Sequence, residues 1–274
     1  MEVFPVRRFD AFKRPRPVKD NHRLDNGTTS KKEAVEPQPL PSDRDDVYER
    51  DGIVSIHNHD FTADPAFIAA YQRALHAVEN DNKILYDIEW RLHVCLWTAA
   101  HAIRLQGSLV ECGVNYGFQA SAIMEYLDWN DRNVHFYLFD TWCGLDETLL
   151  TDEEVALGRK DESESMYSDC YAQARRNFAD FKNVTLIRGS VPSTLDDVEI
   201  PSVSYLSLDM NCAEPEVQAA RFFWPKLVPG GVVLLDDYAY KGYAPQKKAM
   251  DRFASDVGVA ILSMPTGQGL IIKP

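Results

Sequence analysis

Read for apolar periodicity, the chain changes character twice. Up to about residue 50 no apolar repeat survives: Pro5, Pro15, Pro17, Pro37, Pro39 and Pro41 fall there, among Lys31-Lys32 and Asp43-Arg44-Asp45-Asp46. That composition predicts a disordered or extended N-terminal arm over 1–50. From Ala63 the spacing becomes helical, with Pro65 in a first turn and Phe67, Ile68, Tyr71, Leu75 and Val78 recurring every three or four residues. A second helix is expected from Asp87 to Leu105, striped by Ile88, Leu92, Cys95, Leu96, Ala99 and Ile103 and stopped at Gly107. Residues 51–106 therefore read as an N-terminal helical cap.

From 107 to 274 short apolar runs alternate with helical segments. Leu109–Cys112, Val134–Phe139, Val184–Ile187, Val203–Leu208 and Val232–Leu235 read as buried strands, and helices are expected near 118–128, 164–180, 214–227 and 244–256. Such alternation predicts right-handed βαβ units: an α/β, Rossmann-like fold whose sheet is mostly parallel with helices on both faces. The end differs. Val259–Leu262, a turn at Pro265-Thr266-Gly267 and Leu270–Ile272 leave no room for a crossover helix, so a C-terminal antiparallel hairpin completes a seven-stranded sheet.

Composition narrows the function classes. Of 274 residues, 29 are Lys or Arg and 42 are Asp or Glu, a net charge of −13. The arm is nearly neutral, so the excess negative charge belongs to the folded part. An acidic surface argues against a general nucleic-acid binder. In the arm, Arg7, Arg8, Lys13, Arg14 and Arg16 form a weak basic cluster, read as a solvated tail before a docking element. Cys95, Cys112, Cys143, Cys170 and Cys212 show no CxxC spacing, which favours reduced thiols in a cytoplasmic protein. No apolar run approaches the ~18 residues of a membrane span, and no signal-peptide core precedes Arg7-Arg8.

The most informative stretch is Val110-Glu111-Cys112-Gly113-Val114-Asn115-Tyr116-Gly117. A buried strand enters a Gly-x-x-x-Gly loop and then a helix. Gly113 permits a tight turn, and Gly117 lets backbone approach a ligand. The spacing differs from GxGxxG, which disfavours a dehydrogenase, and the loop suits an amino-acid carboxylate and a sulfonium. Glu111 is placed to accept from the amino group of such a ligand. The second strand ends in Phe139-Asp140-Thr141, where an acid can take two ribose hydroxyls; an N-cap aspartate is the plainer alternative. Gly189-Ser190 falls where an adenine ring would lie, and is also an ordinary turn.

Strand four ends at Asp209 and strand five at Asp236-Asp237. Adjacent parallel strands bring these tips to one sheet edge, where three carboxylates repel unless a cation joins them. Hard oxygen ligands with open positions suit Mg²⁺. Alternatively, one of Asp236 and Asp237 caps a turn while the others are solvated.

With these motifs in place, the region from Leu109 to Asp251 resembles the macrocin O-methyltransferase (TylF-like) family of class I S-adenosylmethionine-dependent methyltransferases. The resemblance rests on residues 110–114, on Phe139-Asp140-Thr141 with Gly144-Leu145, on Leu208-Asp209, on Pro229-Gly230-Gly231 and on Asp236-Asp237-Tyr238. It implies S-adenosylmethionine held by Glu111, Gly113, Asn115, Gly117, Asp140, Thr141, Gly189 and Ser190. It also implies Mg²⁺ held by Asp209, Asp236 and Asp237, with Asp209 assisting deprotonation of the acceptor hydroxyl. The acceptor it suggests is a small molecule or glycan, a sugar in a natural product above all; the two helices and the tail before the first strand are read either as a cover for the site or as the contact of a homo-oligomer. The chain departs from the family at Asn211, where many members carry a second acid, and at Gln119, where a small residue is common. The competing readings are a methyltransferase for nitrogen or a non-sugar hydroxyl, and a non-catalytic S-adenosylmethionine-binding subunit.

Some residues stand outside that scheme. His57-Asn58-His59-Asp60 reads as a base or pocket wall, or more simply as a surface loop. His93 and His101 read as packing residues. Tyr238, Tyr240, Lys241 and Tyr243 read as an acceptor wall or as aromatic packing. The acidic runs Asp152-Glu153-Glu154 and Asp161-Glu162 read as a solvated segment.

Overall fold

Among the described residues a short hairpin comes first, and the periodicity gives no notice of it. Strand β1 (Tyr48–Arg50) pairs antiparallel with β2 (Ile53–Ser55) across Asp51 and Gly52, both at positive φ. Asp-Gly is the sequence such a two-residue turn favours. The structure, a computed structural model, describes residues 47–81 and 84–274. The arm expected over 1–50 lies, as far as residue 46, outside the described residues, as does its basic cluster.

The two helices follow. In α1 (Pro65–Ala77) the Asp64 side chain accepts from the Ala66 amide and Pro65 opens the first turn. Helix α2 (Glu89–Ala102) buries Leu92, Cys95, Leu96, Ala99 and Ala102. The chain then runs β3 (Ser108–Cys112), α3 (Phe118–Tyr126), β4 (Phe136–Asp140), α4 (Asp152–Ala156), α5 (Arg159–Met166), α6 (Tyr171–Asn177) and β5 (Val184–Arg188). It continues through β6 (Val203–Leu208), α7 (Ala213–Phe223), β7 (Leu227–Leu235), α8 (Ala244–Val257), β8 (Leu262–Ser263) and β9 (Gly269–Ile272).

Seven strands form one sheet in the order β5-β4-β3-β6-β7-β9-β8. The first five are parallel, and β9 is antiparallel to both β7 and β8, as the alternation and the missing crossover predict. Side chains divide between two cores. Leu109, Tyr205, Val232 and Leu234 pack with α1, α2, α3 and α6 on one face. Val110, Cys112, Leu206, Val233 and Leu235 pack with α7 and α8 on the other. Because β3 connects to β4 on one side while its other neighbour is β6, the strand order reverses between β3 and β6. A crevice opens there at the carboxyl ends of the strands.

Three local expectations need correction. The helix expected over 164–180 is two helices, α5 and α6, separated at residues 167–170. The last hairpin starts its first strand at Leu262 rather than Val259; Val259 and Ile261 instead pack against the core beside α8. The run Asp152-Glu153-Glu154 is not simply solvated. Glu154 is buried, closes a capping box with Thr151 at the start of α4, and accepts from the Ala213 amide at 2.7 Å.

Candidate active site

At the carboxyl ends of β3, β4, β6 and β7 lies a cavity of about 360 Å³. Glu111, Gly113, Asn115, Asp140, Thr141, Gly189, Ser190, Asp209, Asp236 and Asp237 all line it. Its construction begins with an approach that only glycine allows. The end of β3 lies so close to the end of β6 that a Cβ at Gly113 would sit 1.9 Å from the Asp209 carbonyl oxygen, and Gly113 has φ +89°. Gly117 has a different reason to be glycine. It lies outside the cavity lining, and a Cβ there would run into the Phe178 ring at 2.3 Å. The close approach that the structure shows at Gly117 is to the core, at Phe178.

Asp140 builds the loop. Its Oδ2 accepts from the Val114 amide at 2.5 Å and the Asn115 amide at 2.7 Å, and its Oδ1 accepts from the Trp142 amide at 2.5 Å. Trp142 in turn donates its indole N–H to the Asn115 carbonyl at 2.8 Å. Thus the carboxylate expected to face a ribose also fastens two loops, and its oxygens are already largely engaged. Glu111 is the opposite case. It is 2% exposed, and its Oε2 has no hydrogen-bond partner among the described residues. Burial, then Asp236 and Asp140 nearby, push its carboxyl well above the usual range. A buried acid without a partner, facing a cavity, is a position where a cationic donor would gain most.

Asp209, Asp236 and Asp237 converge as expected, with ligand oxygens within 4.8 Å of one another. Burial and the two neighbouring acids raise the Asp209 carboxyl well above its ordinary value, against the pull of Arg91. Asp237 is raised by burial and by Asp236, with Arg91 again opposing. The unexpected member is Arg91 itself, on α2. Its Nη1 donates to Asp236 Oδ2 at 2.6 Å and to Asp237 Oδ1 at 3.2 Å, while Nε donates to Asp51 Oδ2 at 3.2 Å. Gln268 Nε2 takes the other Asp236 oxygen at 3.0 Å. Among the described residues, Asp209 Oδ1 accepts one long bond, from Asn211 at 3.3 Å.

This donor set fits a divalent cation. Mg²⁺ is usually held by one or two carboxylates with waters completing its shell, and Asp209 and Asp237 each keep an oxygen with no bonded donor among the described residues.

Aromatic rings close the remaining wall: Tyr86, Trp142, Tyr167, Tyr240 and Tyr243 line the cavity. Tyr238 does not. Its hydroxyl donates to Asp251 at 2.5 Å and its ring covers Gly269, so it belongs to the packing of α8 and β9. His57 and His59 also lie outside the lining. His93 stacks on Phe61 with ring centroids 4.1 Å apart, and His101 bonds the Gly230 carbonyl at 2.9 Å. The sequence held one signal for Arg91. It stands three residues after Ile88 and four before Cys95, on the inward stripe of α2.

Comparison with known proteins agrees with this geometry. Residues 110–238 match a methyltransferase domain family. The demethyldecarbamoylnovobiocin O-methyltransferase of Streptomyces niveus is 27% identical over 165 residues, 56% of this chain. The match spans 60% of that relative's length. Among solved structures, the O-methyltransferase NovP superposes with a TM-score of 0.57 and 22% identity, covering 67% of this chain and 79% of that one. The calicheamicin methyltransferase CalS11 superposes with a TM-score of 0.56 and 14% identity, covering 80% and 98%. No helix among the described residues is long and apolar enough to cross a membrane. The stretch from Val110 to Tyr238 is thus similar to a methyltransferase domain, and the sheet that carries it shares its Rossmann-like fold with methyltransferases of known structure.

Proposed function

We propose that the chain is an S-adenosylmethionine-dependent O-methyltransferase of the macrocin type, aided by Mg²⁺, whose acceptor is a hydroxyl of a sugar in a natural product or glycan. One observation carries the reading. A single cavity is lined both by Glu111, whose buried Oε2 has no hydrogen-bond partner among the described residues, and by the edge formed by Asp209, Asp236 and Asp237. The first suits the amino group of the donor, and the second suits a hydroxyl that must lose its proton. The O-methyl transfer named for the Streptomyces niveus relative supports the same assignment.

When bound, S-adenosylmethionine supplies an electrophilic methyl group and Mg²⁺ a fixed positive charge that lowers the pKa of a hydroxyl. The rest is the work of the chain. Glu111 binds the donor's ammonium and is held ionised by it. Asp140, by fastening Val114, Asn115 and Trp142, keeps the donor loop in one conformation. Tyr86, Tyr167, Tyr240 and Tyr243 line the cavity and would form the wall beside the acceptor. Asp209 takes the hydroxyl proton, and its raised affinity for protons brings it nearer to the range where a general base works best. Orientation of the two reactants in one cavity supplies much of the acceleration.

Asp209→Asn should lower turnover by at least about a hundredfold, the usual worth of a general base. Binding of S-adenosylhomocysteine, followed by calorimetry, should stay within a few-fold of the wild type. Full activity in that variant would remove Asp209 from the chemistry, and no cofactor binding by the wild-type chain would end the enzyme reading.

A further inference from the structure

Three acids at one edge invite the view that all three hold the cation. The hydrogen bonds around Asp236 argue otherwise. Its Oδ2 receives Arg91 Nη1 at 2.6 Å and its Oδ1 receives Gln268 Nε2 at 3.0 Å. Both donors are themselves fixed. Gln268 is fully buried and its Oε1 accepts from Thr266 at 2.9 Å. Arg91 is 7% exposed, bonded also to Asp51 and Asp237, with its guanidinium 5.4 Å from the centre of the Tyr240 ring. A guanidinium keeps its charge in a folded protein, and Arg91 holds that charge against Asp236, Asp237 and Asp51. A planar fork serving several carboxylates is a task for arginine and not for lysine.

We propose that Arg91 is a positioning residue and the resident counter-ion of Asp236: it takes Asp236 out of the set available to a divalent cation and leaves Asp209 and Asp237 to hold it. The proposal rests on the methyltransferase reading above and adds to it. Arg91 brings a charge from the N-terminal helix α2 to the tips of β6 and β7, and ties the turn of the first hairpin to the same point through Asp51. Two of the edge's negative charges then face the ion in place of three. A site with fewer charged ligands binds its metal more weakly.

Mn²⁺ serves as the probe, its binding read by electron paramagnetic resonance on the full chain. If Asp236 is a counter-ion, removing it together with its partner changes little. The double variant Arg91→Gln/Asp236→Asn should bind Mn²⁺ within about threefold of wild type, whereas Asp237→Asn should lose at least about tenfold, as the loss of a ligand charge predicts. Arg91→Gln alone should bind more tightly than wild type, because a repelling charge is gone. If the double variant loses as much affinity as Asp237→Asn, or the wild type binds no Mn²⁺, the proposal is overturned. Crystals of the wild-type chain soaked in Mn²⁺ give the same decision without substitution: the anomalous peak should bond to Asp209 and Asp237, and a bond to Asp236 sinks the idea. S-adenosylhomocysteine binding, measured on the same samples, reports separately on the methyltransferase reading.

Discussion

Gly113 shows how a single missing side chain shapes the cavity. Its φ of +89° would cost any other residue about 1–2 kcal/mol, whatever the surroundings. The Asp209 carbonyl oxygen, 1.9 Å from where a Cβ would stand, adds a clash with backbone, which cannot rotate away. Gly158 separates the two effects. It has φ +83° and nothing within 4 Å of a Cβ, so only the backbone strain applies. Gly158→Ala should therefore lower stability by about 1–2 kcal/mol, and Gly113→Ala by several times that. Urea unfolding of the two variants measures the difference. Equal losses would mean that the contact between the ends of β3 and β6 is not tight.

Among the elements, α4 carries more than its five residues suggest. Thr151 caps it, and Glu154 answers with Oε2 on the Thr151 amide at 2.9 Å while Oε1 holds the Ala213 amide that opens α7. Thr151→Ala should cost about 1 kcal/mol, the usual worth of an N-cap. Glu154→Ala should cost more, about 2–3 kcal/mol, because it also strands the buried Ala213 amide. Thermal melts of both variants test that order, and a smaller loss for Glu154→Ala would break the link between α4 and α7. The same contrast shows what the sequence displays and what it hides. Buried parallel strands announce themselves as apolar runs such as Val203–Leu208, and the absence of room before Leu270 dictates the antiparallel end. The converging Asp209, Asp236 and Asp237 follow from strand order alone. By contrast α4 and α5 are short and polar, so no apolar stripe marks them. Glu154 looks solvated because its partner is 59 residues away. Arg91 escapes notice for the same reason, its carboxylate lying 145 residues along the chain.

Across the whole molecule, the surplus of acid sets a direction for stability against pH. Glu111 and Glu216 are buried acids and Asp209 is a half-buried one beside two others, so folding raises their pKa values instead of lowering them. Glu216, on the inward side of α7, is the clearest case outside the cavity lining. Burial pushes it up to about 8, while bonds from Gln246 at 2.9 Å and the Met210 amide at 3.1 Å pull the other way. A carboxyl that holds its proton more tightly folded than unfolded favours the folded state at low pH. That contribution is complete below the unfolded value near 4.5 and is lost as pH rises through the folded value near 8. The free protein should thus melt at a lower temperature at pH 8.5 than at pH 6. One pKa unit corresponds to about 1.4 kcal/mol, so Glu216 alone is worth a few kcal/mol across that window. Glu216→Gln keeps an oxygen for Met210 and Gln246 and cannot ionise, so its melting temperature should fall less steeply. Calorimetry at several pH values between 6 and 8.5 decides it: parallel curves for the variant and the wild type would mean that the slope arises elsewhere. A bound cation at the Asp209 and Asp237 edge, or a cationic donor beside Glu111, should flatten the curve further by keeping those acids ionised at no cost to the fold.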